Sequence, residues 1–245
     1  MSVEKLVETI ADEAKNYPLS DEVRQVLGDT VLVSTIGPFL TGKTTAMLQA
    51  EKKASDFSIV HGFTTRPGRP WEPDDVYRLL PHTEESLEGI LDSLRDGQLV
   101  QIAVHPSTGY VYGSDARDYK NRYSMLATLA SVMEGLRSIP FGGVKEIAMA
   151  TLPPDWWGRV NEFAKVVGAE EIRKRLSEGI FSLEWSLDQD DKIPWVINDN
   201  GHLDEAVDNI IGIARGEQGA NPHNRWVGEV LLKSIKERRS LWAAA

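Results

Sequence analysis

The chain of 245 residues sets 27 Lys and Arg against 37 Asp and Glu, for a formal net charge of −10 and a pI near 5.1. With 41% hydrophobic and 26% charged residues it has the composition of a globular protein able to bury a sizeable core. The acidic balance gives no general basic footprint for a nucleic-acid backbone, and the absence of cysteine excludes disulfides, thiolate metal sites and a thiol nucleophile.

Val3, Leu6, Val7, Ile10 and Ala14 recur at helical spacing from Ser2 onward, and Pro18 is expected to close that helix. Glu4, Glu8, Asp12 and Glu13 interrupt the apolar positions, so this stretch reads as neither a signal peptide nor a membrane span; a cytoplasmic protein without a membrane partner is expected. Ser20 opens a second short helix through Val23, Val26 and Leu27, stopped by Gly28. Residues 1–29 thus form an N-terminal helical extension, either packed onto the rest of the chain or presenting a surface for a homodimer.

The run from Thr30 to Ile36 is apolar and β-branched, and leads directly into Gly37-Pro38-Phe39-Leu40-Thr41-Gly42-Lys43-Thr44-Thr45, a G-x-x-x-x-G-K-T loop. Strong helix formers follow from Ala46 to Lys53. Strand, phosphate loop and helix in that order let backbone N–H groups and the positive end of the helix converge on phosphate oxygens. Lys43 adds a mobile point charge, and Thr44 can carry its hydroxyl to Mg²⁺. Gly37, Gly42, Lys43, Thr44 and Thr45 are therefore the candidate nucleotide-binding residues. In so acidic a chain the phosphate site must be a local basic pocket.

Phe57 to Val60 reads as a second strand, followed by a polar, Pro-rich segment from His61 to Pro73. Thr83-Glu84-Glu85 caps a helix with an apolar face of Leu87, Ile90, Leu91 and Leu94, ended by Gly97. Two strands, Gln98 to Val104 and Tyr110 to Tyr112, flank a turn at Pro106-Ser107-Thr108-Gly109 and suggest a small antiparallel insert. Leu126 to Val132 and Glu146 to Thr151 read as buried parallel strands, with a helix the alternative for any such apolar run. After Pro153-Pro154 come helices from Asp155 to Val166 and from Ala169 to about Leu187, a last strand from Ile193 to Asn198, and a helix from Leu203 to Ala214. This alternation predicts an α/β fold with a parallel sheet covered on both faces. Beyond Gly216 a linker-like run, Gln218 to Pro222, precedes a helix striped by Val227, Val230, Leu231 and Ile235. Lys233, Lys236, Arg238 and Arg239 around it read as a solvated face. Histidines at 61, 82, 105, 202 and 223 have no metal-ligand spacing.

A phosphate loop alone leaves kinases, GTPases and transport ATPases open. The chain contains neither an Asn-Lys-x-Asp nor a Leu-Ser-Gly-Gly run, which counts against the last two. Thr64-Thr65-Arg66-Pro67-Gly68-Arg69 carries two arginines in a Pro-restrained loop, able to converge as planar forks on one phosphate while tyrosine hydroxyls complete its coordination. Further on come Tyr110-Val111-Tyr112-Gly113-Ser114, the apolar strand Ala148 to Leu152 ending in Pro153-Pro154, Lys174-Arg175-Leu176, and Val196-Ile197-Asn198-Asp199 with Leu203-Asp204-Glu205-Ala206.

In this order, from about Val31 to about Ala214, these segments resemble the guanylate kinase family. The resemblance implies a three-layer P-loop nucleoside-monophosphate kinase fold over residues 30–216, with an acceptor-binding insert at 61–114, a helical lid at 155–176 and a C-terminal helical tail at 217–245. It implies ATP and Mg²⁺ on the phosphate loop, and a nucleoside monophosphate or other small phosphorylated acceptor held by Arg66, Arg69, Tyr77 and Tyr112. Lys43 and Arg175 would be the catalytic groups, Asn198 would lie beside the adenine, and Gln101 and Ser114 would face the acceptor base. The departures bear on specificity: Gln101 stands where the family has a glutamate that pairs with guanine, and Gly62 where it has a serine. Ser131 aligns with an aspartate that supports Mg²⁺, Glu134 being the nearest carboxylate. The lid motif is reduced to Lys165 through Glu170, and Phe39-Leu40 are bulkier than the family's Ser-Gly. Three readings follow: a guanylate-kinase-like enzyme acting on GMP or another nucleoside monophosphate, a kinase of a phosphorylated sugar such as ribose bisphosphate, and a non-catalytic nucleotide-binding scaffold. An intact phosphate loop beside a drifted base pocket favours an enzyme with an altered acceptor.

Overall fold

The computed structural model describes residues 1–68, 77–105, 108–189, 192–217 and 222–242. Its elements in chain order are α1 (Val3–Glu13), α2 (Asp21–Gly28), β1 (Val31–Ile36), α3 (Lys43–Lys53), β2 (Phe57–Ile59), β3 (Phe63–Thr64), β4 (Arg78–Leu79), α4 (Glu84–Arg95), β5 (Leu99–Val104), β6 (Val111–Asp115), β7 (Tyr123–Thr128), α5 (Met133–Ser138), β8 (Gly143–Ala150), α6 (Pro153–Val167), α7 (Ala169–Leu187), β9 (Trp195–Ile197), α8 (Leu203–Arg215) and α9 (Pro222–Arg238). They fall into two compact units. The first comprises Met1–Val31, Ile59–Ser124 and Ser138–Gly143, and the second Leu32–Ser58, Met125–Arg137 and Val144–Ala245.

In the first unit, side-chain caps fix both packing helices. Ser2 Oγ accepts from the Lys5 amide at 3.4 Å, and Thr83 Oγ1 from the Ser86 amide at 3.4 Å, each satisfying a helix-start donor. Leu6 and Ile10 of α1 then bury against Leu87, Ile90, Leu91 and Leu94 of α4, with Phe63, Leu99 and Val111 from the sheet beneath. Helix α1 stops at Glu13, short of the expected stop at Pro18. Tyr17 donates its hydroxyl to the Val100 carbonyl at 2.8 Å, a long-range contact that draws the chain out of helical register before the proline acts. The sheet has the order β4-β3-β6-β5. Its β3–β6 and β5–β6 pairs are antiparallel, as expected of the insert, and β4 adds a parallel edge strand on β3.

The second unit is built on a parallel five-stranded sheet of order β2-β7-β1-β8-β9. Leu32, Val33 and Ile36 of the central strand are fully buried, matching the near-continuous apolar run of a strand covered on both faces. Strand β7 is displaced from its expected place: it spans Tyr123–Thr128 rather than Leu126 to Val132, and a 3₁₀ turn, Ala130–Val132, follows it. The apolar run misled because Leu129 and Val132 are 52% and 41% exposed, so half of the pattern is not core. Trp156, Trp157 and Val160 of α6, Ile172, Leu176 and Leu183 of α7, and Val227, Leu231 and Ile235 of α9 form one apolar cluster with Trp195 of β9. Trp157 Nε1 ties α6 to α9 through Ser234 Oγ at 2.9 Å. The basic residues of α9 lie outward as expected, Lys236 pairing with Glu184 at 2.6 Å. The linker-like run 218–221 and Pro106-Ser107 lie outside the described residues.

Candidate functional site

In the second unit β1 is the central strand. Its helical connection through α3 leads to β2 on one side, while β8 and β9 lie on the other. The carboxyl end of such a strand is a switch point, where the diverging connections leave a crevice for a ligand. The loop Gly37–Gly42 occupies it. A Cβ at Gly37 would run into the Met149 carbonyl of β8, and Gly42 has φ +80 with the Asn198 amide against its Cα. Gly37 is therefore demanded by close approach of the β8 backbone, and Gly42 by the Asn198 side chain against it and by its left-handed conformation.

The carbonyls of this loop are all engaged. Lys43 Nζ donates to the Gly37 and Pro38 carbonyls at 2.8 and 2.6 Å, and Thr41 Oγ1 donates to Pro38 O at 2.9 Å. Trp156 Nε1 donates to Phe39 O at 2.8 Å, Arg159 Nη1 to Leu40 O at 3.1 Å and Asn198 Nδ2 to Thr41 O at 2.8 Å. Helix α3 begins at Lys43 with no side-chain cap, as do α6, α7 and α8, but it has no acid in its first turn, where α1, α2, α4, α6, α7 and α8 each carry one or two. An uncapped helix start preceded by a loop with occupied carbonyls is a concavity of N–H donors suited to an anion.

Burial pushes the Lys43 ammonium down from its ordinary 10.5 to about 8, and the Arg175 guanidinium adds to the shift while Glu178 opposes it. Arg175 is held on α7 by Glu171, with Nε 2.9 Å and Nη2 2.8 Å from Oε1. Its guanidinium lies 5.9 Å from the Phe39 ring centroid and 5.7 Å from that of Phe163. Helix α7 can come this close to the loop because Gly179 faces Pro38, where a Cβ would sit 3.2 Å from the proline Cβ. Thr44 is half-buried in the first turn of α3, and Thr45 is exposed. Asn198 is 4% exposed, beneath the loop rather than beside open space, with its amide committed to Thr41. Ser131 falls in the 3₁₀ turn after β7 and Glu134 on α5, both exposed, and the strand itself ends at Thr128. Among the described residues no cluster of three His, Asp or Glu side chains could hold a metal by itself.

In the first unit the β5–β6 register pairs Gln101 with Ser114 and Ala103 with Tyr112, and β3 sets Thr64 opposite Tyr112. These residues share one face of the small sheet, the other being the Phe63 and Val111 face that packs on α4. Arg66 is 5% exposed, donates to Pro67 O at 2.9 Å and stands 5.3 Å over the Tyr77 ring, which meets the Tyr112 ring edge-on at 6.1 Å. Arg66, Tyr77 and Tyr112 are thus brought together; Arg69 lies outside the described residues. Ser114 Oγ is 3.0 Å from the Tyr119 hydroxyl, whose ionisation burial pushes well above the usual range. Gln101 Nε2 is buried without a hydrogen-bond partner. A Cβ at Gly62 would strike the Gly113 carbonyl, which explains why this position cannot carry the serine that the resemblance implies.

No family model matches the chain, and no curated protein does. Among solved structures, the crystal structure of guanylate kinase from Anaplasma phagocytophilum is similar over 77% of this chain and 85% of that one, at 18% identity and a TM-score of 0.43. The overlap is that of distantly similar backbones, and the site geometry above stands independently of it.

Sequence reasoning missed Arg159, Trp156 and Glu178. An arginine in an amphipathic helix carries no motif, and its meaning here comes from partners far along the chain at Leu40, Thr151, Asn198 and Asn200. Phe39 was legible only as an unusually bulky loop residue; packed on Trp156 at 5.4 Å and Phe163 at 6.3 Å, it anchors the loop to α6.

Proposed function

We propose that the protein is a phosphotransferase that carries the γ-phosphoryl group of ATP to the phosphate of a nucleoside monophosphate. The observation that carries this reading is the loop Gly37–Gly42 at the carboxyl end of β1, every carbonyl from Gly37 to Thr41 engaged and the start of α3 uncapped over Lys43. The loop N–H groups and Lys43 would take the β- and γ-phosphates, with the Thr44 hydroxyl on Mg²⁺. Mg²⁺ held there would supply charge neutralisation at the phosphates. Arg175, whose charge already acts on Lys43, would stabilise the charge spreading over the transferred group. The reaction breaks the bond between the γ-phosphorus and the β,γ-bridging oxygen, leaving ADP, and forms one to an acceptor phosphate oxygen, so no protein nucleophile is needed.

Arg66, Tyr77 and Tyr112 in the first unit would grip the acceptor phosphate, with Arg69 as their expected partner. Support for a nucleotide acceptor comes from Gln101. Its Nε2 has no hydrogen-bond partner among the described residues, and its carboxamide offers one donor and one acceptor. The carboxamide pairs fully with the donor and acceptor of adenine or uracil, but with guanine only through O6 and the ring N–H, leaving the exocyclic amine that a carboxylate would also take. The reading is therefore an AMP- or UMP-type acceptor in preference to GMP. An ADP-release screen with ATP–Mg²⁺ against nucleoside monophosphates and phosphorylated sugars tests it. Turnover with a monophosphate bearing adenine or uracil supports the reading; turnover with sugar phosphates alone would replace it.

A further inference from the structure

We infer that Arg159 is a positioning residue for the phosphate loop, holding Leu40 in the left-handed backbone conformation that glycine would adopt without strain. The inference rests on the reading of Gly37–Gly42 as a phosphate loop for its functional consequence, and on geometry alone for the lock itself. Leu40, at φ +60, is the only non-glycine residue with positive φ among the described residues. A side chain with a Cβ enters this region against a steric penalty, and such strain persists only where the surroundings over-determine it.

The surroundings here are the Arg159 guanidinium. Its Nη2 donates to Asn198 O at 3.0 Å and to Asn200 Oδ1 at 2.9 Å, and its Nε reaches Asn200 Oδ1 at 3.2 Å. Nη1 approaches Thr151 Oγ1 at 3.4 Å and donates to Leu40 O at 3.1 Å. The planar fork is thereby fixed to the residues following β8 and β9, and what remains of it is aimed at the carbonyl of the strained residue. A lysine has one rotatable ammonium on a flexible stem and cannot hold the Asn198 carbonyl, the Asn200 side chain and the Leu40 carbonyl at once. The neighbouring carbonyls are held separately, Phe39 O by Trp156 and Thr41 O by Asn198. Arg159 therefore acts on Leu40 itself. Without it the Leu40 carbonyl loses its anchor, and relaxation of Leu40 to negative φ would reorient the peptides on either side of it and turn a carbonyl toward the space where the loop needs N–H groups.

The test is a cycle of variants in the full chain: Arg159→Met, Arg159→Lys, Leu40→Gly and Arg159→Met with Leu40→Gly. For each, ATP–Mg²⁺ affinity is measured by titration calorimetry and the thermal midpoint by circular dichroism. Arg159→Met should weaken ATP binding about tenfold, the equivalent of one charge-assisted hydrogen bond, and Arg159→Lys nearly as much. Leu40→Gly alone should change affinity less than about threefold, and in the Arg159→Met background it should restore most of the loss, since glycine holds the conformation unaided. A merely structural arginine would lower the midpoint with the affinity unchanged, or lose affinity equally in both backgrounds; either result overturns the inference. Should Arg159→Met not fold, Arg159→Lys is read against Leu40→Gly in the same way. If the wild type binds no ATP, the phosphate-loop function falls. The lock is then decided by the midpoints: a smaller Arg159→Met loss in the Leu40→Gly background upholds it, and equal losses refute it.

Discussion

Lys43 offers a prediction whose size follows from its surroundings. Without ligand, burial pushes its ammonium down from 10.5 to about 8, the Arg175 charge adding to the shift and Glu178 opposing it. At roughly 1.4 kcal/mol per pKa unit, that shift is about 3 kcal/mol of discrimination against the charged form. The sign follows from linkage: the folded pKa lies below the unfolded one, so the penalty on the folded state is fully present below pH 8 and is relieved as pH rises from 8 to 10.5. A bound triphosphate reverses the field, favours the ammonium and raises the pKa again. At pH 9 more of the free protein than of the complex carries neutral Lys43, so binding should take up a larger fraction of a proton at pH 9 than at pH 7. Calorimetric titration with ATP in buffers of differing ionisation enthalpy counts these protons, and Lys43→Met supplies the subtraction for ATP's own titration. Uptake that does not grow between pH 7 and 9, or that survives Lys43→Met, would refute the placement of Lys43 against the phosphates.

Arg66→Ala should raise the acceptor KM and lower kcat while ATP affinity stays within about twofold, as expected if Arg66 grips the other substrate; steady-state kinetics varying each substrate in turn checks this. Gln101→Glu should shift kcat/KM toward GMP and away from AMP and UMP by roughly tenfold to a hundredfold, because a carboxylate accepts from both guanine donors while one unpaired buried donor costs about 1–3 kcal/mol. A wild type strongly selective for GMP, made worse by glutamate, would place Gln101 away from the base. Trp156→Ala should destabilise by about 3–5 kcal/mol in urea unfolding, since the side chain is fully buried in the α6–α7–α9 cluster and its Nε1 holds the Phe39 carbonyl. Trp226→Ala, at 58% exposure, should stay within about 0.5 kcal/mol and serves as the control.

What the sequence disclosed was what local physics determines. Thr83 with Leu87, Ile90, Leu91 and Leu94 is a cap and a stripe within one element, and α4 forms where they indicate. Helix α7 begins at Ala169 and ends at Leu187 because Gly168 precedes it and its apolar period runs unbroken to that point. The glycine and lysine spacing of the phosphate loop is likewise local. The parts that stayed hidden depend on where distant residues meet. The end of β7 could not be read from an apolar run half of which faces solvent, so Ser131 was assigned to a strand end that lies at Thr128. The parallel β3–β4 pair joins two strands of two residues each, too short to carry a periodic signal. Leu40 looked only like a bulky substitution until its left-handed conformation and the Arg159 guanidinium, 119 residues away, were seen together.

The central claim, phosphoryl transfer from ATP on the loop that ends in Lys43, is tested most directly by following γ-³²P-labelled ATP with Mg²⁺ and a panel of nucleoside monophosphates in the wild type and in Lys43→Ala. The account predicts labelled nucleoside diphosphate from at least one adenine- or uracil-bearing acceptor, abolished by Lys43→Ala together with a marked loss of ATP affinity. Label transfer undiminished in Lys43→Ala, or wild-type protein that binds ATP and transfers label to no acceptor in the panel, would contradict it.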